Sequence, residues 1–323
     1  MAVEKFEGHE TTMKKLSQFA AVILACTPWF AVASEVPFNL KEIAPGIFVH
    51  QGQMVAERTP ANMGDQANIG FIVGEKCVAT LDTGGSMQVG LLLRAAIKKT
   101  TDKPVCYVIN SHVHPDHMFG NAAFKTDNVT FIGHERLAKA AAARNSNYSN
   151  SLKRDLGDVA QGSELTPPTQ TIKAGEAKAL DLGGRTLKIQ AWPVGHTDND
   201  ISVFDEQTQT LWLSDLLFID HVPAMDGSIP GWLKVIADLK KIPAKIVIPG
   251  HGPATAPWPS AIEPEERYLA KVADGVRKAL KDKKTIQEAI EGVAWDEKDK
   301  WRQFENFHRR TVTATYAELE WED

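Results

Sequence analysis

Three imidazoles and one carboxylate fall within six positions at His112, His114, Asp116 and His117, inside the run Ser111-His112-Val113-His114-Pro115-Asp116-His117. Neutral imidazole is a borderline-soft nitrogen ligand and carboxylate a hard oxygen ligand, so the set suits zinc or another first-row dication. With ten His in 323 residues, a chance run of this form would arise in roughly one chain in a thousand or fewer. Three further residues carry the same chemistry. His196 in Gly195-His196-Thr197-Asp198, Asp215 in Ser214-Asp215 and His251 in Pro249-Gly250-His251-Gly252 each stand where an apparent strand meets a loop. The glycines beside His196 and His251 let backbone approach closely. Together with the run, these residues complete two coordination spheres. Cysteine takes no part, because Cys77 and Cys106 lie away from the run and lack metal-ligand spacing.

The elements that must hold these residues are legible in part. Cys77 to Asp82 is a short apolar run stopped by Thr83-Gly84-Gly85, and a helix follows with Ser86 as its cap and Val89, Leu92, Leu93, Ala96 and Ile97 on one face. Val105 to Asn110 is the next strand and leads directly into the His run. Strand, helix, strand over this length implies parallel pairing, and ligands gather at the carboxyl ends of parallel strands. Asp82 and His112 should therefore share one sheet edge. Further strands are predicted over 46–50, 68–73, 129–132, 186–194 and 245–248, with a hairpin formed by 201–204 and 210–213. Helices are expected over 135–144, 230–241 and from about Glu263 onwards, with Trp295, Trp301 and Phe304 as packing candidates. The stretch from Asn145 to about Ala177 is rich in Asn, Ser, Gly and Pro and reads as the connection between two half-domains of one domain spanning 34–323.

The N-terminal stretch is a separate object. Lys14-Lys15, an apolar run from Phe19 to Val32 and the small-residue sequence Ala31-Val32-Ala33 have the order of a secretory signal peptide, with cleavage expected after Ala33 and a true start at Met13. The run is short and holds Pro28, which argues against a membrane span. The protein is thus expected in the periplasm or secreted. In such a compartment Cys77 and Cys106 could pair, although free thiols suit neighbouring parallel strands better. A formal net charge of -5 gives no basic footprint for nucleic acid, and 43% hydrophobic content is enough for a large core.

The motifs Leu81-Asp82-Thr83-Gly84, His112-x-His114-x-Asp116-His117, Gly195-His196-Thr197, Ser214-Asp215 and Pro249-Gly250-His251-Gly252 make the chain resemble the metallo-β-lactamase-fold hydrolases. The resemblance covers most of the chain after Ala33 and implies an α/β (α+β) fold, the four-layer αβ/βα sandwich, with two zinc sites at the sheet edge. It implies that His112, His114 and His196 hold one metal, that Asp116, His117 and His251 hold the second, and that Asp215 bridges them. Two dications about 3.5 to 4 Å apart lower the pKa of a shared water, position it as a nucleophile and stabilise charge on the attacked group. Asp116 is placed to orient that nucleophile, and Asp82 to hold a ligand His by the ring's other N–H, its alternative role being a local turn cap.

Asp at 215 separates the chain from the classical zinc β-lactamases, which commonly carry Cys there, and resembles thioesterases of the glyoxalase II type. The flanking segments Gln66 to Val73 and Leu81 to Ser86 look most like the exported SoxH-like or quinoprotein relay system zinc metallohydrolases. The leading expectation is an exported dinuclear zinc hydrolase acting on an ester, thioester or amide bond of a small molecule. The alternatives are a mononuclear iron enzyme like the persulfide dioxygenases, holding Fe2+ by His112, His196 and Asp215; a metal-binding accessory protein of a periplasmic quinoprotein or sulfur-oxidation system; and a β-lactamase. Specificity is expected from the segment 51–67, as a flap or a plain loop, and from the loop 220–232, where His221 and Trp232 either line a pocket or serve ordinary packing.

Overall fold

The computed structural model describes residues 38–125 and 128–322. The expected signal sequence, the Met13 start and the Ala33 cleavage site lie outside the described residues. Two sheets account for all strands among the described residues. The first has seven strands in sequence order, from β1 (Leu40–Ala44), β2 (Ile47–His50), β3 (Ile69–Val73) and β4 (Val78–Leu81) to β5 (Val105–Ile109), β6 (Thr130–His134) and β7 (Gln170–Ile172). Pairing is antiparallel as far as β4 and parallel from β4 to β7. Helix α1 (Met87–Thr100) makes the expected crossover between β4 and β5, capped by the Ser86 hydroxyl, which accepts from the Val89 N–H. The four-residue α2 (Pro115–Met118) and the long α3 (Leu137–Leu156) follow β5 and β6.

The second sheet runs β13-β12-β11-β10-β9-β8. Its strands are β8 (Ala177–Asp181), β9 (Thr186–Ala191), β10 (Ile201–Asp205), β11 (Thr210–Phe218), β12 (Ile246–His251) and β13 (Ala256–Pro257), with only β11 and β12 paired parallel. Between β11 and β12 lies α4 (Ile229–Leu239), and α5 (Glu263–Lys281), α6 (Ile286–Gly292) and α7 (Phe304–Leu319) complete the chain.

Three apolar clusters stack these elements into layers. Ile47, Val49, Ala79, Leu81 and Ile109 of the first sheet meet Leu187, Ile189, Val203, Trp212 and Ile248 of the second. The outer face of the first sheet packs Phe71, Val78 and Val108 on Val89, Leu93 and Ile97 of α1. The outer face of the second packs Leu211, Leu213 and Val247 on Trp232, Ile236, Tyr268, Val272 and Val312 of the later helices. Helix, sheet, sheet, helix is the four-layer αβ/βα arrangement. Among the described residues, no helix is long and apolar enough to cross a membrane.

The structure departs from the pattern reading at several places. Residues 145–177 are not a featureless connection, because α3 continues to Leu156 and β7 occupies Gln170–Ile172. Tyr148, Leu152 and Leu156 recur every four residues, pack with the buried Phe119, and override the weak helix propensity of the intervening Asn and Ser. β9 stops at Ala191, short of the expected end, because Pro193 has no N–H to continue the ladder. β11 continues past Ser214-Asp215 to Phe218, and Ser214 takes φ +50 at a break in its register with β12. Cys77 and Cys106 are both free thiols, and burial, with a hydrogen bond to Cys106, pushes the Cys77 thiol up to about 12.

Candidate metal centre

Loops at one edge of the sandwich bring the seven candidate ligands together. His112 and His114 lie on the loop after β5, and Pro115 starts α2, whose first turn carries Asp116 and His117. His196 follows β9, Asp215 stands just after the irregular Ser214 in β11, and His251 ends β12. Gly250 is required beside Asp215, since a Cβ at that position would come within 1.8 Å of the Asp215 Oδ1 atom. The Asn68 side chain donates to the Pro249 carbonyl at 2.9 Å, and its backbone N–H to the Gly250 carbonyl at 2.7 Å, so the first sheet fixes the His251 turn of the second.

The ligand atoms fall into two groups, each with its members within 4.8 Å of one another. One contains His112, His114, His196 and Asp215, and the other Asp116, His117 and His251. Asp215 reaches both groups. Its Oδ2 lies 3.6 Å from His112 Nε2, 3.4 Å from His196 Nε2 and 3.5 Å from His251 Nε2, while its Oδ1 lies 3.2 Å from His117 Nε2. Asp116 Oδ2 is 3.3 Å from His251 Nε2 and 3.6 Å from His117 Nε2.

Each imidazole has one nitrogen facing this centre and the other held by an oxygen of the protein. His117 Nδ1 donates to Asp82 Oδ2 at 2.8 Å, His196 Nδ1 to the Ala224 carbonyl at 2.7 Å, and His251 Nδ1 to the Gln66 carbonyl at 3.1 Å. His114 is turned the other way, with Nε2 on Asp226 at 3.3 Å and Nδ1 3.1 Å from His196 Nε2. His112 Nδ1 meets Ser111 Oγ at 2.9 Å, and that hydroxyl spends its own proton on Asp82 at 2.7 Å. These outer oxygens can each keep a ring proton, so that on metal binding the inner nitrogens would be free to serve as ligands. Among the buried side-chain atoms without a hydrogen-bond partner are His112 Nε2, His117 Nε2 and Asp215 Oδ1, all at this centre. Buried polar atoms are rarely left unpaired, and a ligand set of nitrogen and carboxylate oxygen with these orphans fits two dications.

The electrostatics also select cations. Burial opposes charge on His117, but Asp215, Asp116 and Asp82 outweigh it and hold the ring well above the usual imidazole range. His251 is raised to about 9 by the same carboxylates against burial. Burial instead lowers His112, and takes His196 down to about 3. Asp215 and Asp116 sit below the usual carboxylate range because the surrounding imidazoles outweigh their burial.

Asp82 has the position expected of it, accepting also from the Ser111 backbone N–H at 2.8 Å and the Ser214 hydroxyl at 3.1 Å. Sequence reasoning missed Ser111 and Ser214 as partners of Asp82, Asp226 as partner of His114, and Asp200, which takes the Thr197 N–H at 2.8 Å and its hydroxyl at 2.6 Å and so pins the His196 loop. Burial pushes the Asp200 carboxyl up to about 8. A cavity of about 410 Å³ opens onto Asp116, Asp215, His114 and His251. Val55, Ala56, Arg58 and Gln66 bring the 51–67 segment to its wall, and His221 also lines it, its ring 5.2 Å from that of His251. Trp232 does not line it: the indole is fully buried under His196, at 5.3 Å between rings, because α4 turns it into the core.

Two opposed sheets with outer helices, and a two-group His/Asp cradle at their common edge, define a class of metal-binding αβ/βα sandwich proteins. The chain belongs to the metallo-beta-lactamase superfamily, whose family model matches residues 62–251. The linear primary-alkylsulfatase of Pseudomonas sp. (strain ATCC 19151) is 25% identical over 210 residues, covering 53% of this chain and 39% of the relative. The chain therefore spans well under two thirds of that curated relative. Among solved structures, a double mutant of the sec-alkyl sulfatase PisA1 superposes with a TM-score of 0.64 at 16% identity, over 87% of this chain and 50% of that one. A metallo-beta-lactamase from Pontibacter korlensis gives 0.58 at 20%, over 72% and 98%. The metallo-beta-lactamase FIM-1 from Pseudomonas aeruginosa, in its mono-zinc form, gives 0.58 at 19%, over 73% and 96%. At these identities the superpositions speak for the fold.

Proposed function

We propose that the protein is an exported hydrolase that holds two zinc ions and cleaves an ester, thioester or amide bond of a small molecule. The observation that carries this reading is the set of ring nitrogens and carboxylate oxygens gathered around Asp215 in two groups, each ring fixed from outside by an oxygen of the protein. His112, His114 and His196 would hold one ion, Asp116, His117 and His251 the other, with Asp215 shared. Such ions supply Lewis acidity and lower the pKa of a water molecule. The chain's own part is positional. Asp116, at the cavity wall, accepts a hydrogen bond from the attacking water and orients it; Asp82, Asp226 and the Ala224 and Gln66 carbonyls keep the rings from rotating. The cavity size suits a small molecule.

The alkylsulfatase similarities favour a second reading, in which the bond cleaved is a sulfate ester. The test for both is metal quantitation on the chain beginning after Ala33, joined to a panel of carboxylic esters, thioesters, amides and alkyl sulfates. About two zinc ions per chain and turnover that Asp215→Ala abolishes, with the fold kept by circular dichroism, support the proposal. Full activity in metal-free protein overturns it. A single iron with oxygen uptake on a persulfide would replace it by the dioxygenase reading, and inactivity with a co-purifying quinoprotein or sulfur-oxidation partner by the accessory one.

A further inference from the structure

The cavity at the metal centre holds two arginines that the ligand set does not use. Its carboxylates are engaged: Asp116 and Asp215 by imidazoles, and Asp226 by His114 and by Arg144 at 3.1 Å. Arg310, on α7, lines the cavity exposed and has no ion pair or hydrogen bond among the described residues. Arg58, from the 51–67 segment, commits Nη2 to Asp155 at 2.7 Å and Ser151 at 3.1 Å, while its Nη1 is shielded from solvent without a partner. The rest of the wall includes apolar side chains, among them Val55, Ala56, Ala224, Met225 and Phe307. Neither arginine lies within residues 62–251, the span that the family model matches.

We propose that Arg310, assisted by Arg58, recognises an oxyanion on the substrate, and that the substrate class is an amphiphilic acid in which a carboxylate or sulfate is joined to an apolar body. The planar guanidinium offers paired N–H donors that match either oxyanion. Arg58 brings a second guanidinium to the same cavity, and the apolar wall receives the carbon chain. This deepens the hydrolase reading, resting on it for the cavity being the substrate site.

The test compares zinc-loaded protein on the p-nitrophenyl monoester of hexanedioic acid and on p-nitrophenyl hexanoate, which differ by one terminal carboxylate. The acid is expected to be preferred in kcat/KM, and Arg310→Ala to cut that preference about tenfold through KM, the loss of one charge-assisted contact. Arg309→Ala is the control, because it removes the same charge from the same helix, where Arg309 lies over the Trp295 ring at 4.9 Å. A direct binding arm uses calorimetry with phenylbutanoate, its neutral amide and hexyl sulfate, which also separates carboxylate from sulfate recognition. Acid-selective binding that Arg310→Ala weakens, without turnover of either ester, upholds this proposal and sets the cleaved bond outside the carboxylic esters; the same binding with no turnover across the whole panel of esters, thioesters, amides and alkyl sulfates refutes the hydrolase reading alone. The proposal is overturned by turnover without acid preference, by a preference equally reduced in Arg309→Ala, by one unmoved in Arg310→Ala, or by the absence of both turnover and acid-selective binding.

Discussion

Replacing Asp82 with Asn changes one atom at the outside of the centre and tests how the rings are held. Asp82 sits at φ +54, a conformation that Asn tolerates, and Asn keeps an oxygen for the Ser111 N–H. The changed atom is Oδ2, which takes the His117 Nδ1 proton at 2.8 Å. An amide nitrogen there donates, so the His117 ring, which the carboxylates keep protonated without a metal, must give up its Nδ1 proton, keep the one on Nε2 and accept at Nδ1. In metal-free protein this switch is tolerated, because Nε2 then faces Asp215 Oδ1 at 3.2 Å. Metal binding reverses the switch and sets two donors against each other, at about 1–3 kcal/mol. That corresponds to roughly 5- to 150-fold in affinity, in line with the usual cost of altering a ligand's outer partner. Zinc titration against a competing chelator should show one equivalent weakened by that factor and the other far less. Urea denaturation of the metal-free variant should stay within about 1 kcal/mol of the parent. Two zinc equivalents of unchanged affinity would refute the reasoning, and collapse of the metal-free fold would make Asp82 a turn-forming residue only.

Two further expectations follow from groups outside the ligand set. Asp226→Ala releases His114 Nε2 and should lower activity about 10- to 100-fold, while stability changes little because the carboxylate is half-exposed; steady-state rates and urea midpoints check both. His308 is buried, donates from Nε2 to the Val293 carbonyl and accepts from Tyr268, and burial lowers its pKa. The unfolded chain therefore binds this proton first, so stability falls as pH drops below about 6.5; His308→Gln should lessen the fall of the urea midpoint between about pH 7 and pH 5, and an unchanged slope would exclude His308 as a contributor.

The parts of the centre legible in sequence are those where residue type alone carries the chemistry. His112, His114, Asp116 and His117 announce themselves by density, and His196, Asp215 and His251 by their place at strand ends. The β4-α1-β5 crossover was readable because helical periodicity and turn residues agree over Cys77 to Ile109. What was hidden depends on contacts distant in sequence. Asp226 becomes a partner only when its loop folds back on His114, and the irregular Ser214 shows only against the register of β12. The second half of α3 was misread, and the choice between the two roles of Trp232 left open, for a related reason: the partner surface, rather than the local pattern, decides which side is buried. Strands β1 and β8 were missed because their exposed edges weaken the alternation of apolar residues.

The ligands come from both sheets, and Asn68 ties the first sheet to the Gly250 turn of the second. Neither half of the chain can therefore assemble the centre alone. Loop closure across both sheets must precede high-affinity loading, so a metal would be taken up late in folding and would report that the halves have docked in register. A chain trapped with one sheet formed is left with partial ligand sets of low affinity, so a bound metal would act as a selective stabiliser of completed molecules and a brake on their unfolding.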